Sequence, residues 1–192
     1  MSNRTALPAV LVTGAPGAGK STVGRGLAGR LGAALVDQDT LTAPMVDVIA
    51  NLVGVHDLDD PRLAGPTRAA RYEALVAVAE DNLRVGTPVV LVAPFTRERR
   101  DLDAWTILDR RLRSAGGSPL LVWLWLTPEV AARRLAVRAA ARDLAKADRP
   151  AAFSAGADVG EPTGPHLPAN GEHPTEDVVD GVLAALARRT SH

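Results

Sequence analysis

Gly14-Ala15-Pro16-Gly17-Ala18-Gly19-Lys20-Ser21 is the stretch on which the reading of this chain turns. It matches G-x-x-x-x-G-K-[ST] at all four fixed positions. It lies between an apolar, β-branched run, Pro8 to Thr13, and a stretch with helical apolar spacing at Val23, Leu27 and Leu31 that Gly32 stops. The chemistry follows from geometry. Glycines let successive backbone N–H groups turn into one anion-sized hollow, and a helix opening near Gly19 adds the positive end of its dipole. Lys20 is expected to reach the β- and γ-phosphates of a nucleoside triphosphate and Ser21 to offer its hydroxyl to Mg²⁺, with Thr22 completing the cradle. The motif does not distinguish ATP from GTP.

Outward from this loop, strand-like and helix-like segments alternate. Ala33 to Val36 reads as a second strand ending in Asp37-Gln38-Asp39. Leu41 to Leu52 has helical spacing, and Thr67 to Arg84 is an amphipathic helix carrying Leu75, Val76, Ala79 and Leu83. Pro88 to Ala93 is a third strand. Arg97 to Ala115 is a helix with Leu102, Trp105, Leu108 and Leu112 on one face, and Leu120 to Leu126 is a fourth strand, with Trp105, Trp123 and Trp125 read as core. Thr127-Pro128-Glu129 opens the next helix with a cap residue and a proline at the first helical position. Asp148 to Thr175, rich in Gly, Pro, Ala and Asn, reads as a mobile loop or lid with a short edge strand near His166 to Pro168, and Thr175 to Arg188 as a closing helix. The alternation predicts an α/β fold with a parallel sheet, one domain across residues 1–192.

Composition narrows the function. With 22 basic and 22 acidic side chains among 192 residues, the net charge is zero, so no overall positive field draws the chain to nucleic acid or an anionic membrane. The absence of cysteine removes disulfides, thiolate metal sites and cysteine nucleophiles. The longest apolar run, Leu120 to Leu126, is too short for a bilayer span, and the start lacks a secretory core segment, so the expected location is cytoplasmic. Only Lys20 and Lys146 are lysine, against twenty arginines. Coding bias explains the ratio, but the phosphate-loop position keeps its compact ammonium where a planar guanidinium would not fit.

Two further groups point to chemistry. Asp37 and Asp39, two apart, would point the same way from extended chain at the carboxyl end of a strand, where open α/β sheets bind ligands. One carboxylate can accept the proton of an attacking hydroxyl while the other helps to hold Mg²⁺. Arg134, Arg138, Arg142 and Lys146 recur every four residues. Like charges at that spacing cost roughly a few tenths of a kcal/mol per pair, which favours an anion as their partner. His166 and His173 have no third ligand type beside them, so zinc is not expected.

Taken together, the loop Gly14 to Ser21, the turn Asp37-Gln38-Asp39-Thr40-Leu41, the stretch Val89 to Arg100 after a long helix, and an arginine-rich helix after a Trp/Leu strand resemble the small P-loop kinases. Within them the chain is most similar to shikimate and gluconate kinases, chloramphenicol phosphotransferase and the kinase modules of polynucleotide kinase and zeta-toxin-like proteins. The resemblance implies a three-layer P-loop NTPase fold, a five-stranded parallel sheet of order 2-3-1-4-5 with helices on both faces, and a mobile lid at about 138–165. It implies ATP and Mg²⁺ as ligands, Asp39 as general base, Asp37 on the metal side, and Arg138 and Arg142 closing over the transferring phosphoryl group, with Arg134 on the nucleotide. The turn from His166 to His173 would lie near the adenine. The acceptor, a hydroxyl on a small molecule, would sit between the aspartate turn, the helices of residues 41 to 85 and the turn after the third strand, with Arg68, Arg71, Tyr72, Arg97 and Arg100 as candidates, His56 and Asp60 in the intervening loop, and a monomer or homodimer as the working form.

One departure from that pattern stands out: relatives often end the third strand with an acid that holds Mg²⁺ through water, whereas Val89-Val90-Leu91-Val92-Ala93-Pro94-Phe95-Thr96 has none. It leaves two other readings open. A polynucleotide 5′-kinase is disfavoured by the neutral charge and by the lack of aromatics interleaved with basic residues. A nucleotide-gated binding protein without acceptor chemistry is supported by the missing acid alone.

Overall fold

The computed structural model describes residues 6–55, 60–145 and 160–190. Five strands form one parallel sheet: β1 (Leu7–Gly14), β2 (Ala34–Asp37), β3 (Val89–Val92), β4 (Gly117–Trp125) and β5 (Leu167–Asn170), in the order β2-β3-β1-β4-β5. This is the order implied by the resemblance. The helices are α1 (Lys20–Leu31), α2 (Gln38–Val53), α3 (Pro61–Arg84), α4 (Thr96–Arg100), α5 (Leu102–Ser114), α6 (Pro128–Ala145) and α7 (Thr175–Thr190).

The three central strands are apolar without interruption because both of their faces are covered. Leu11 is in register with Leu91 on one side and Leu121 on the other, and all three are buried. On their face of the sheet Ala9 and Leu11 pack with Leu75, Ala79 and Leu83 of α3 and with Trp105, Leu108 and Leu112 of α5. Val10 and Val12 point to the opposite face, against Val23 and Leu27 of α1 and Val178, Val179 and Val182 of α7. Truncating any one of these buried leucines to alanine costs about 2–5 kcal/mol. Helix α1 presses close: a Cβ on Gly24 would sit 2.5 Å from Val92 Cγ2.

Strand β4 starts three residues before the expected Leu120, and three helix starts differ from the sequence expectation through a capping aspartate. Helix α3 starts at Pro61, earlier than Thr67, because Asp60 accepts the Arg62 N–H and proline occupies the first turn. The expected helix from Arg97 to Ala115 is two helices, because Asp101 leaves helical geometry (φ −128°, ψ 113°) and its carboxylate accepts the N–H groups of Asp103 and Ala104, starting α5 afresh. Helix α2 begins directly after β2. The centre of the expected lid, with Lys146, and the His56 loop lie outside the described residues.

Candidate active site

The carboxyl ends of β1, β2, β3 and β4 open onto one side of the sheet, and the phosphate loop leaves β1 there. Gly14 (φ 145°), Gly17 (φ 81°) and Gly19 (φ 90°) take conformations that other residues adopt only with strain. At Gly14 space adds to conformation, since a Cβ would lie 2.3 Å from the Leu124 carbonyl oxygen of β4. Gly19 caps α1 without a side chain, so no capping side chain competes for the first-turn N–H groups that face the hollow. The Lys20 ammonium donates to the carbonyl oxygens of Gly14 (3.0 Å) and Ala15 (2.9 Å), lying against the loop it would leave for a phosphate.

At the end of β2 the two aspartates do not share a direction, contrary to the extended-chain expectation. Asp37 is the N-cap of α2 and Asp39 already lies in its first turn. Asp37 Oδ1 accepts the N–H groups of Asp39 (3.0 Å) and Thr40 (3.3 Å), while Oδ2 accepts the Ser21 hydroxyl at 2.7 Å. The hydroxyl and carboxylate expected on Mg²⁺ are therefore neighbours. Among the described residues no group of three or more His, Asp or Glu could hold a metal by itself. Mg²⁺ on a nucleotide needs only one or two protein oxygens, the rest coming from phosphates and water, so this pair fits it.

Asp39 turns instead toward α3. Its Oδ1 accepts from Arg71 Nη2 at 2.7 Å, and Arg71 Nε donates to Thr42 Oγ1 at 2.9 Å. Asp39 is 84% exposed, so it is open to an acceptor from the other side. Arg68, one turn before Arg71, and Arg97 and Arg100 on α4 are exposed. Tyr72 is turned inward: its ring meets Phe95 edge-on at 5.8 Å and its hydroxyl is buried. Phe95 is fully buried and holds φ 44°, the only described non-glycine residue in the left-handed region. Glu98 joins this pair. Burial pushes its carboxyl up, and the Tyr72 phenol is pushed up by burial and then by the Glu98 charge. Arg99 is buried too. Its guanidinium donates to the Gly160 carbonyl, while its own carbonyl accepts the Thr163 N–H at 2.8 Å, tying the segment that returns to β5 onto α4.

On the nucleotide side Arg134 Nη1 donates to the carbonyls of Gly17 (3.1 Å) and Gly171 (3.0 Å), clamping the phosphate loop to the turn after β5. A Cβ on Gly171 would stand 2.8 Å from the Ala18 carbonyl oxygen, so that turn packs directly on the phosphate loop. Glu172, which sequence reasoning missed, fixes the turn from its other end: its Oε1 accepts both the N–H and the hydroxyl of Thr127, each at 2.7 Å. These bonds hold the Glu172 carboxyl below the usual carboxylate range. His166 is packed edge-on against Trp123, which is half-buried, as is Trp125, and its Nδ1 lies 2.9 Å from the Gly164 carbonyl oxygen. Helix α6 carries Arg138 and Arg142 one and two steps of four beyond Arg134, and their side chains lie outside the described ones.

A family model described as an AAA domain matches residues 10–157. No curated protein matches the chain in sequence. Among solved structures, a putative kinase from Chloroflexus aurantiacus is similar with a TM-score of 0.67 at 18% identity, covering 94% of this chain and 98% of its own. A gluconokinase from Sinorhizobium meliloti gives 0.56 at 21% identity, covering 98% and 96%. An APS kinase from Mycobacterium tuberculosis, solved with AMPPNP and APS, gives 0.61 at 17% identity, covering 96% and 99%.

Proposed function

We propose, for a chain that belongs to the AAA domain family of P-loop kinases, an ATP- and Mg²⁺-dependent phosphotransferase acting on a hydroxyl of a small molecule. It would work as one domain in the cytoplasm; no described helix is long and apolar enough to cross a membrane. The observation that carries this reading is the junction after β2, where Asp37 takes the Ser21 hydroxyl and Asp39, in the first turn of α2, faces Arg71.

Lys20 and the first-turn amides of α1 bind the β- and γ-phosphates, drawing Lys20 off the carbonyls of Gly14 and Ala15. Ser21 and Asp37 would hold Mg²⁺, which when bound neutralises charge on the phosphates. Asp39 accepts the proton of the acceptor hydroxyl. That oxygen bonds to the γ-phosphorus as the bond from phosphorus to the bridging oxygen breaks, and ADP leaves. Arg71 orients Asp39 in the absence of acceptor and, with Arg68, Arg97 and Arg100, supplies donors to the acceptor. Arg134 holds the nucleotide side, and Arg138 and Arg142 would balance charge on the transferring phosphoryl group.

The test is incubation with ATP, Mg²⁺ and a metabolite pool, read by mass spectrometry for the gain of one phosphoryl group, followed by Asp39→Asn on the acceptor found. The variant is expected to lose about 10²–10⁴-fold in transfer with ATP binding unchanged. Full transfer by Asp39→Asn refutes the base. Nucleotide-dependent partner binding with no phosphorylated product favours the regulatory reading instead.

A further inference from the structure

Helix α2 has two apolar faces and only one of them is covered. Val46 and Ala50 are buried in a small cluster with Val55 and Leu63, on the side that meets α3. Leu41, Met45, Val48 and Leu52 form a second stripe and are 37%, 66%, 53% and 80% exposed. Asp39 and Leu41 are about 200° apart round the helix, so the stripe faces away from Asp39 and Arg71 and does not line the acceptor side. The only charges on α2 are Asp39 and Asp47, and both fall outside the stripe.

We propose that this face is the two-fold interface of a homodimer of this chain. The spacing is the first reason. Steps of four, three and four read the same in both directions, so an antiparallel α2 pair about an axis between Val46 and Asp47 sets Leu41 against Leu52 of the partner subunit. The same axis sets Met45 against Val48 of the partner subunit. A two-fold contact demands a surface of this kind, complementary to itself. Area is the second. The four side chains leave about 450 Å² open, within the size range of the largest apolar patch on a monomer, which is often functional. Two copies, with Thr40, Pro44 and Asn51 at the rim, bring the total to about 1,000 Å², the lower bound for a specific interface and enough for a reversible dimer. Charge is the third. Lacking Lys and Arg, α2 offers nothing to an anionic membrane or a nucleic acid. The pairing leaves both aspartate turns open.

Sedimentation velocity on the full chain, from about 1 to 100 µM, tests this. Wild type is expected to sediment as a dimer of twice 20.0 kDa. Met45→Asp and Val48→Asp each place two charges in the contact, one per copy, and are expected to weaken the dimer at least a hundredfold, while Val85→Asp, exposed elsewhere, leaves it intact. Circular dichroism verifies that the variants fold. The register has its own test: Leu41→Cys with Leu52→Cys in one chain forms a disulfide-linked dimer under mild oxidation, and either substitution alone does not. A monomer over the whole range overturns the proposal and leaves the face to a partner of different sequence. A dimer that survives both aspartates overturns it as well.

Discussion

Replacing Asp37 by asparagine and by alanine separates the two tasks that its carboxylate performs. Oδ1 caps α2 through the N–H groups of Asp39 and Thr40, and Oδ2 accepts the Ser21 hydroxyl. Asparagine keeps a cap oxygen, and its amide can still meet Ser21 Oγ as a donor, so the folded state loses about 1 kcal/mol or less. Alanine loses the cap, about 1 kcal/mol, and the charge-assisted bond, about 1.5–3 kcal/mol before discounting for partial exposure. At about 2–4 °C per kcal/mol for a chain of this size, Asp37→Asn should melt within about 4 °C of wild type and Asp37→Ala about 5–12 °C below it.

Function divides the other way. Both variants lack the negative charge beside Ser21, so both should need at least about tenfold more Mg²⁺ for half-maximal phosphotransfer, with nucleotide affinity measured without metal little changed. Melting curves without nucleotide, and rates across a Mg²⁺ titration, supply the two readouts. An Asp37→Asn enzyme with the wild-type Mg²⁺ requirement refutes the metal-side role. Equal melting of the two variants refutes the cap.

Gly14→Ala puts a Cβ 2.3 Å from the Leu124 carbonyl oxygen at φ 145°, combining overpacking with backbone strain for about 2–6 kcal/mol and a melting point about 5–20 °C lower. Gly19→Ala has no atom within 4 Å at φ 90° and should lose only the strain, about 1–2 kcal/mol; equal melting of the two would refute the steric argument. Glu172 has its carboxyl held low by the Thr127 N–H and hydroxyl, so its charged form is the one that anchors the turn. The stability it adds is complete at neutral pH and is lost as the pH falls below about 4. The difference in melting point between wild type and Glu172→Gln should therefore be flat from about pH 8 to 5.5 and shrink in acid; a difference that grows in acid contradicts the assignment.

What could be read from the sequence was local or periodic. The phosphate loop needs only eight contiguous residues, and the central strands announce themselves because burial on both faces leaves no polar position to break the run. The partners of the site residues were a different matter. Arg71 meets Asp39 from 32 positions away and Glu172 meets Thr127 from 45, and no spacing rule connects them. Arg99 stands in a run of charged residues, Arg97 to Arg100, in a chain with twenty arginines, so nothing singled out the one that folding buries. The direction of Asp37 was misjudged for a more instructive reason. A strand and a helix share no linker here, and the apolar positions from Leu41 onward conceal a helix that starts three residues earlier. The signal was present: aspartate with free N–H groups two and three residues ahead is the preferred N-cap arrangement.

The missing acid after β3 follows from what its place is used for. The Pro94 carbonyl accepts the Thr13 hydroxyl at 2.6 Å, joining the ends of β1 and β3, and Phe95 is folded back into the core against Tyr72. This turn is spent on packing the floor beneath α3 and α4. Strand β2, next to it, ends in register, with Asp37 paired to Val92, so the backbone at 37 lies about one strand spacing, roughly 4.8 Å, from the end of β3. From there the Asp37 carboxylate, which accepts the Ser21 hydroxyl, would take the metal-side task proposed for it. Ala93 itself is buried, packed with Leu11, Leu91 and Phe95 on the α3 and α5 face, whereas Asp37 meets Ser21 of α1 on the opposite face, so an acid at 93 would be desolvated rather than set beside Asp37. A chain whose β2 carboxylate is already hydrogen-bonded to Ser21 can thus keep Ala93 as packing, and Ala93→Asp should lower the melting point of the nucleotide-free protein by burying an unpaired charge; an unchanged melting point refutes the packing argument.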